Sequence, residues 1–171
     1  MKSQRRPSGG FDLAEAPSHL IKRCQQYFGD LYARETGSAE LTKQQFTVLV
    51  ALENNEGASQ TALVELTGID RSTLAEMVRR MLERGLLSRR RTEKDARANA
   101  IAITAAGRKA LRGVRLAAER AERILLEPLP PSERAKFVKS LELIAAAGEA
   151  FAATDTAKKV AKPQRHRKAA S

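Results

Sequence analysis

Apolar positions recur at helical spacing along most of this chain and switch to alternation in one short region, and the order of these stretches predicts the architecture. Leu20, Cys24, Tyr27 and Leu31 form a stripe that predicts a first helix, N-capped by Ser18 and ending near Arg34. Thr42 and Gln45 stand at capping-box spacing, and Phe46, Leu49 and Val50 supply the buried face of a second helix up to about Glu53. Asn54, Asn55 and Gly57 break it. Ser59 caps a short helix carrying Ala62, Leu63 and Leu66 that closes at Gly68. Asp70 then caps another, in which Leu74, Met77, Val78, Met81 and Leu82 keep i, i+3, i+4, i+7, i+8 spacing up to Gly85. Two short capped helices joined by a tight glycine turn make a helix-turn-helix.

The period then falls to two. Leu87, Arg89 and Arg91 alternate with Ser88 and Arg90, and Ile101 and Ile103 alternate with Ala100 and Ala102 beyond a polar tip, which predicts a β-hairpin, or wing. Thr104 caps a long helix with Leu111, Val114, Ala118, Ala121 and Leu125 on one side, stopped by Pro128, Pro130 and Pro131. A last helix from about Ser132 carries Phe137, Leu141, Ile144, Ala145 and Phe151. The first, long and last helices have more apolar stripe than a small lobe covers, so a helical dimerisation region is expected. The fold class is mainly α: a winged helix-turn-helix lobe over about 42–104, with dimerisation helices over about 18–36 and 105–153. Residues 1–16 and 155–171 bury too little to offset their ordering entropy and are expected to be disordered tails flanking a folded 17–154.

Charge sharpens this picture. The 171 residues carry a formal net charge of +11, which favours an anionic polymer as partner. Residues 18–70 hold 4 Lys and Arg against 7 Asp and Glu, residues 71–97 hold 9 against 4, and the tail from 155 holds 6 against 1. The basic excess therefore falls on the second helix of the helix-turn-helix, the hairpin and the C-terminus. Off the apolar stripe, the helix beginning near Asp70 offers Arg71, Ser72, Thr73, Ala75, Glu76, Arg79 and Arg80 to base edges and phosphates, with Ser59 and Gln60 at the start of the helix before it. Arg71 suits a two-pronged bond to guanine and Glu76 acceptance from a cytosine amino group. The same face serves equally as a solvated one, with Glu76 and Arg80 as an i,i+4 pair. In the hairpin, Arg89, Arg90, Arg91, Lys94 and Arg97 suit phosphate neutralisation, with Arg97 as the candidate for minor-groove insertion and Asp95 placed to orient it.

Together these residues resemble the MarR family of bacterial regulators. The resemblance runs from about Leu20 to Phe151 and is densest from Ser59 to Thr104. The family pattern of a Leu, Glu or Arg before Gly and Leu, then basic residues, then Asp, any residue, Arg, and a closing strand falls on Leu82 to Leu86, Arg89 to Arg91, Asp95, Arg97, Ile103 and Thr104. It implies a triangular homodimer with interlocked first, fifth and sixth helices, a double-stranded DNA operator as partner, Arg97 as the wing-tip arginine and Asp95 as its buttress. Glu76 departs from the Arg or Lys often found there. The resemblance also implies an effector pocket between the dimer region and each lobe. The segments GIDRSTLAEMVRRM and RRRTEKDARANAI are similar to a subgroup tied to aromatic acid catabolism, whose inducer is an aromatic acid or its coenzyme A thioester. Leu20, Tyr27, Phe28, Leu31 and Phe46 are then the expected apolar walls. Arg23, Arg34, Arg112 and Arg115, with Lys22, are the cations near enough to meet a carboxylate or phosphates. The same aromatics serve equally as dimer core.

An enzyme is disfavoured. Histidine occurs only at His19 and His166, and no Gly-rich phosphate loop, metal-spaced cluster or Ser-His-Asp set is present, so no metal or cofactor is expected. The single Cys24 forms no intrachain disulfide and its place in the stripe favours a buried structural thiol, with redox sensing through Cys24 as an alternative. A nonspecific architectural DNA binder is the other. No apolar run approaches the roughly 20 residues that span a bilayer and no signal pattern opens the chain, so no membrane partner and a cytoplasmic location are expected.

Overall fold

A computed structural model describes residues 11–37, 41–92 and 95–161, with side chains described except at 90–99, 149 and 152–161. The order among the described residues is α1 (Pro17–Thr36), α2 (Lys43–Asn54), α3 (Gln60–Thr67), α4 (Arg71–Glu83), β1 (Leu87–Thr92), β2 (Asp95–Ile103), α5 (Ala105–Leu126) and α6 (Pro131–Ala161). The chain forms two compact units, one up to Leu126 and one from Glu127. The mainly α winged helix-turn-helix is the fold observed.

Local signals set most element boundaries in the first unit. Thr42 accepts from the Gln45 backbone N–H at 3.3 Å while the Gln45 side chain accepts from the Thr42 N–H at 3.1 Å, a reciprocal capping box. Ser59 accepts from the Ala62 N–H at 3.1 Å and Asp70 from the Thr73 N–H at 2.9 Å. Gly68, at φ 65°, turns α3 sharply enough for α4 to begin at Arg71. The start of α1 differs from expectation. Ser18 lies inside the helix, because Pro17 takes the first turn, where its fixed φ and missing N–H cost nothing. Nor is all of 1–16 a tail: Asp12 caps a 3-10 turn at Leu13–Glu15 and Ala16 is buried. Residues 1–10 lie outside the described residues.

The core gathers Leu49 and Leu52 of α2, Leu63 of α3, Leu74, Val78 and Met81 of α4, Ile101 and Ile103 of β2, and Leu111 of α5. Phe46 and Val50 sit at its edge, and Val48 takes a deeper place than either. The hairpin is antiparallel, with Leu87 opposite Ile103 and Arg89 opposite Ile101. Its root is not two-faced as alternation suggested: Ala100 and Ala102 are buried beside Ile101 and Ile103. The α2–α3 loop accounts for this, since Ile101 N–H donates to the Ala58 carbonyl at 3.0 Å and a Cβ on Gly57 would lie 4.0 Å from that of Ala100. Only a small side chain fits beneath such a loop.

At the end of the hairpin Thr104 joins three elements. Its single hydroxyl proton is shared between the Gly85 carbonyl at 2.7 Å and that of Leu86 at 3.1 Å, and its oxygen accepts from the Gly107 N–H at 3.0 Å. The Thr104 N–H also donates to the Leu86 carbonyl at 3.1 Å. The first turn of α5 lies so close that a Cβ on Gly107 would come within 2.2 Å of that oxygen and 2.9 Å of Ile103. Beyond it α5 sets Leu111 and Val114 into this core and packs on α1, with Ala118 and Ala121 also buried.

In the second unit Pro131 opens α6, and Arg134 donates to the carbonyls of Leu129 and Glu127, tying down the proline-rich connection. No described side chain of α6 is buried, and Val138, Leu141, Leu143, Ile144 and Phe151 are exposed. The helix runs on to Ala161 and not into a disordered tail from 155, as suits a stretch rich in alanine and lysine. Residues 162–171 lie outside the described residues. Among the described residues no helix is long and apolar enough to cross a membrane.

Replacing Gly107 with Ala should destabilise the protein by about 1–3 kcal/mol, the usual cost of overpacking a site whose neighbours include backbone. Chemical denaturation read by circular dichroism measures it. A midpoint equal to wild type would show that the first turn of α5 is free to shift.

Candidate nucleic-acid interface

Burying Leu74, Val78 and Met81 turns the rest of α4 outward. Arg71, Ser72, Thr73, Ala75, Arg79 and Arg80 are exposed and Glu76 is partly so. The expected reading face is therefore brought together on one side of the helix, but its members are not equally free. Ser72 donates its hydroxyl to Asp70 Oδ1 at 2.6 Å, joining the Thr73 N–H there, and these bonds hold the Asp70 carboxyl well below the usual range. Glu76 is the most engaged. Its Oε1 accepts from Arg79 Nη2 at 2.6 Å and Arg80 Nε at 2.9 Å, and its Oε2 from Arg79 Nε at 2.9 Å. Arg79 also donates through Nη1 to Glu83 at 2.5 Å. The bonds from Arg79 and then Arg80 lower the Glu76 carboxyl to about 2, and those from Glu76 and Glu83 raise the Arg79 guanidinium. Arg71 forms no ion pair among the described residues.

Ser59 spends its acceptor on the α3 cap, and Gln60 is half-buried beside it. A shallow cleft of about 360 Å³ adjoins this surface, lined by Thr42, Gln44 and Gln45 of α2 and Thr73, Glu76, Met77 and Arg80 of α4. In the wing Arg89 is exposed. Arg91, Asp95 and Arg97 fall on the strands at positions whose side chains lie outside the described set, and Lys94 lies outside the described residues altogether.

The residues expected to meet an effector are scattered. Leu31 is packed into the core at 2% exposure and offers no open surface. Phe46 meets Tyr32, ring centroids 6.0 Å apart, and Lys43 Nζ lies 5.2 Å from the ring centre of Phe28. Arg34 is bonded to Glu35, and Arg115 to Glu53. Leu20, Arg23, Tyr27 and Arg112 are exposed. Tyr32, Lys43 and Glu53 were missed by sequence reasoning. Tyr32 stands i+4 from Phe28, a spacing that was available, whereas the partners from α2 required the fold. A cleft of about 650 Å³ lies elsewhere, at the end of α4 and the start of α5, lined by Arg84, Leu86, Ala106, Lys109, Ala110, Gly113 and Val114. Cys24, expected to be buried, is exposed.

A capped helix pair whose second member turns a polar, arginine-bearing face outward, followed by a hairpin fixed to its end, defines a winged helix-turn-helix protein. Residues 39–98 match the MarR family. The Escherichia coli O157:H7 transcriptional regulator HosA is 34% identical over 100 residues, covering 58% of this chain and 74% of HosA. Against HosA of E. coli O127:H6 strain E2348/69 the match is 40% over 72 residues, so there the chain spans about half (53%) of the relative's length. The PcaV transcriptional regulator from Streptomyces coelicolor, solved with its natural ligand, superposes with TM-score 0.73 at 35% identity, over 82% of this chain and 99% of PcaV. The repressor CouR on a 23-mer DNA duplex superposes with TM-score 0.69 at 32% identity, and its p-coumaroyl-CoA complex with TM-score 0.68 at 30%, each over 78% of this chain and 94% of CouR. CouR has also been solved from Rhodococcus jostii RHA1. This chain belongs to the MarR family and is a transcriptional regulator.

The arginine cradle around Glu76 has a measurable consequence. Its folded-state pKa of about 2 lies below the ordinary 4.5, so the cradle's stabilisation is full above the unfolded value and is lost as pH falls toward 2. Carboxyl NMR should find Glu76 still charged at about pH 3.5, where an ordinary glutamate is mostly protonated. Replacing Arg79 and Arg80 with Ala should return its midpoint to the ordinary range. A midpoint unmoved by that change would show that the two arginines do not hold it.

Proposed function

We propose that the protein is a homodimeric, cytoplasmic repressor that binds an imperfect palindrome with two α4 helices in successive major grooves, half-sites about one helical turn apart. The observation that carries this is the exposed polar face of α4, set on a buried apolar stripe and followed directly by the hairpin. CouR bound to a DNA duplex supports it. Arg71 and Ala75 form one base-reading edge of α4 and Thr73, beside Glu76 and Arg80, the other; Ser59, Gln60 and Ser72 border them, and Arg89, Arg91, Lys94 and Arg97 meet the phosphates and minor groove, with Asp95 orienting Arg97. In the first unit the exposed Leu20, Ile21 and Tyr27 of α1 and Leu116 of α5, and in the second the exposed apolar residues of α6, are each surface for a second copy, since a monomer rarely leaves so many large apolar groups uncovered.

Release from DNA is assigned to an aromatic acid or its coenzyme A thioester, in keeping with PcaV bound to its natural ligand and CouR to p-coumaroyl-CoA. Phe28 and Phe46, with Tyr32 and Lys43 beside them, form the aromatic part of that site. Arg23 and Arg112 are its open cations. The effector favours a spacing of the two lobes that no longer matches successive grooves, so operator affinity falls by the coupling energy, typically about 1–3 kcal/mol.

Selecting duplexes from a random library with the wild-type protein should enrich a bounded palindrome; length-dependent coating of any duplex would favour the architectural binder instead. On the enriched duplex, Arg97→Ala should weaken binding and flatten the salt dependence, whereas Arg71→Ala should change preference among base-pair variants by about 1–3 kcal/mol. Equal losses on every sequence would mark Arg71 as a phosphate contact. A panel of aromatic acids and their coenzyme A thioesters should include one that releases the duplex. Silence across the panel, with release by peroxide that Cys24→Ser abolishes, would replace the ligand by redox sensing.

A further inference from the structure

The polar face of α4 holds two arginines in different states. Glu76, Arg79, Arg80 and Glu83 stand at i, i+3, i+4 and i+7, clear of the buried stripe. Arg79 is bonded through all three nitrogens, Nε and Nη2 to Glu76 and Nη1 to Glu83. Arg80 is bonded through Nε alone, and among the described residues nothing else accepts from it. Its two terminal nitrogens, with four N–H donors, therefore form a free edge, and an end-on guanidinium of this kind matches O6 and N7 of a guanine, or a phosphate. The Glu76 carboxylate already accepts three donors across its two oxygens, a fork of two from Arg79 and one from Arg80.

We propose that Glu76 is a positioning residue that holds Arg80 by Nε so that its outer edge meets the DNA, while Glu76 and Glu83 together neutralise Arg79. This rests on the reading that α4 enters the major groove. A direct bond from Glu76 to a cytosine amino group, which the sequence also allowed, is here secondary to the support it gives. Exposed ion pairs of this kind add little to stability, so what they contribute is direction. A side chain with several rotatable bonds is pre-set for one contact, and less of its entropy is lost when the contact forms. The four residues also sum to no net charge, so this stretch of the helix does not attract every phosphate backbone alike and leaves nonspecific attraction to Arg71 and the wing.

The test is a double-mutant cycle with Glu76→Gln and Arg80→Ala on the full-length protein, using a duplex enriched from a random library by wild type and its single-base-pair variants. Glu76→Gln is isosteric and lies on an exposed face, and thermal melting verifies that each variant is folded. Glu76→Gln should lower discrimination at one base pair on the order of ten-fold. Binding to random-sequence duplex should become tighter with a steeper salt dependence, because the cradle loses one negative charge and Arg80 its carboxylate, while Glu83 still holds Arg79. With Arg80 already replaced, Glu76→Gln should leave discrimination at that base pair unchanged. Additive effects on discrimination would overturn the inference and make Glu76 a direct reader. Unchanged discrimination and salt dependence in Glu76→Gln would overturn it and make the cradle a solvated feature. A wild type that enriches no sequence at all would remove the groove reading on which the inference stands.

Discussion

One backbone oxygen organises the DNA-binding lobe. The Leu86 carbonyl accepts from both the N–H and the hydroxyl of Thr104, and the first turn of α5 closes over it at a distance that excludes any side chain at Gly107. A partly buried carbonyl at the junction of three elements needs a partner, since a buried one left bare costs on the order of 1–3 kcal/mol. Thr104 meets that need from the far end of the hairpin, across a sequence separation of 18 residues. The end of α4, both strands of the wing root and the start of α5 are therefore tied at one point.

The other end of the first unit is held by softer contacts. Phe46 meets Tyr32 at a tilted angle, the Tyr32 hydroxyl donates to the Leu41 carbonyl at 3.3 Å, and Lys43 stands over Phe28. Arg115 reaches from α5 to Glu53 at the end of α2. Aromatic edges, a cation over a ring and a half-exposed ion pair are each worth about a kilocalorie or less. The lobe is thus tied to α5 through Thr104 and Arg115, and to α1 through the aromatic contacts of Phe46, Tyr32 and Phe28.

Most of this architecture was written in local chemistry. The caps at Thr42, Ser59, Asp70 and Thr104, and the glycine turns at Gly68 and Gly85, fall where the side chains demand, because each satisfies backbone groups within a few residues of itself. What escaped was decided at a distance. Ser18 yielded to Pro17, whose ring suits the first turn of a helix without any cap. Alternation along β2 suggested one buried face, yet the α2–α3 loop lies over the other, and a loop that packs on a strand leaves no trace in the strand's own period. Leu20, Cys24 and Tyr27 lie on a helical stripe but are exposed within a single copy, while Leu31 and Tyr32 are buried. A stripe specifies that a face is apolar and not what covers it.

Charge was only partly readable: helical spacing gave the Glu76–Arg80 pair, but not the partners of Arg115 or Arg34, and the reason is physical. A net charge of +11 implies an anionic partner, but it counts every arginine alike. In the folded chain Arg34 is turned to Glu35, Arg79 to Glu76 and Glu83, Arg80 by one nitrogen to Glu76, and Arg115 to Glu53. A paired arginine still carries its charge, but a carboxylate a few ångströms away cancels its field beyond about a Debye length, roughly 10 Å at ordinary salt. Long-range attraction to DNA therefore depends on the cations left unpaired, whereas recognition at contact depends on the direction of each free N–H. These two quantities part company on α4. Arg71 contributes to both, Arg79 to neither while its two glutamates hold it, and Arg80 to direction more than to field.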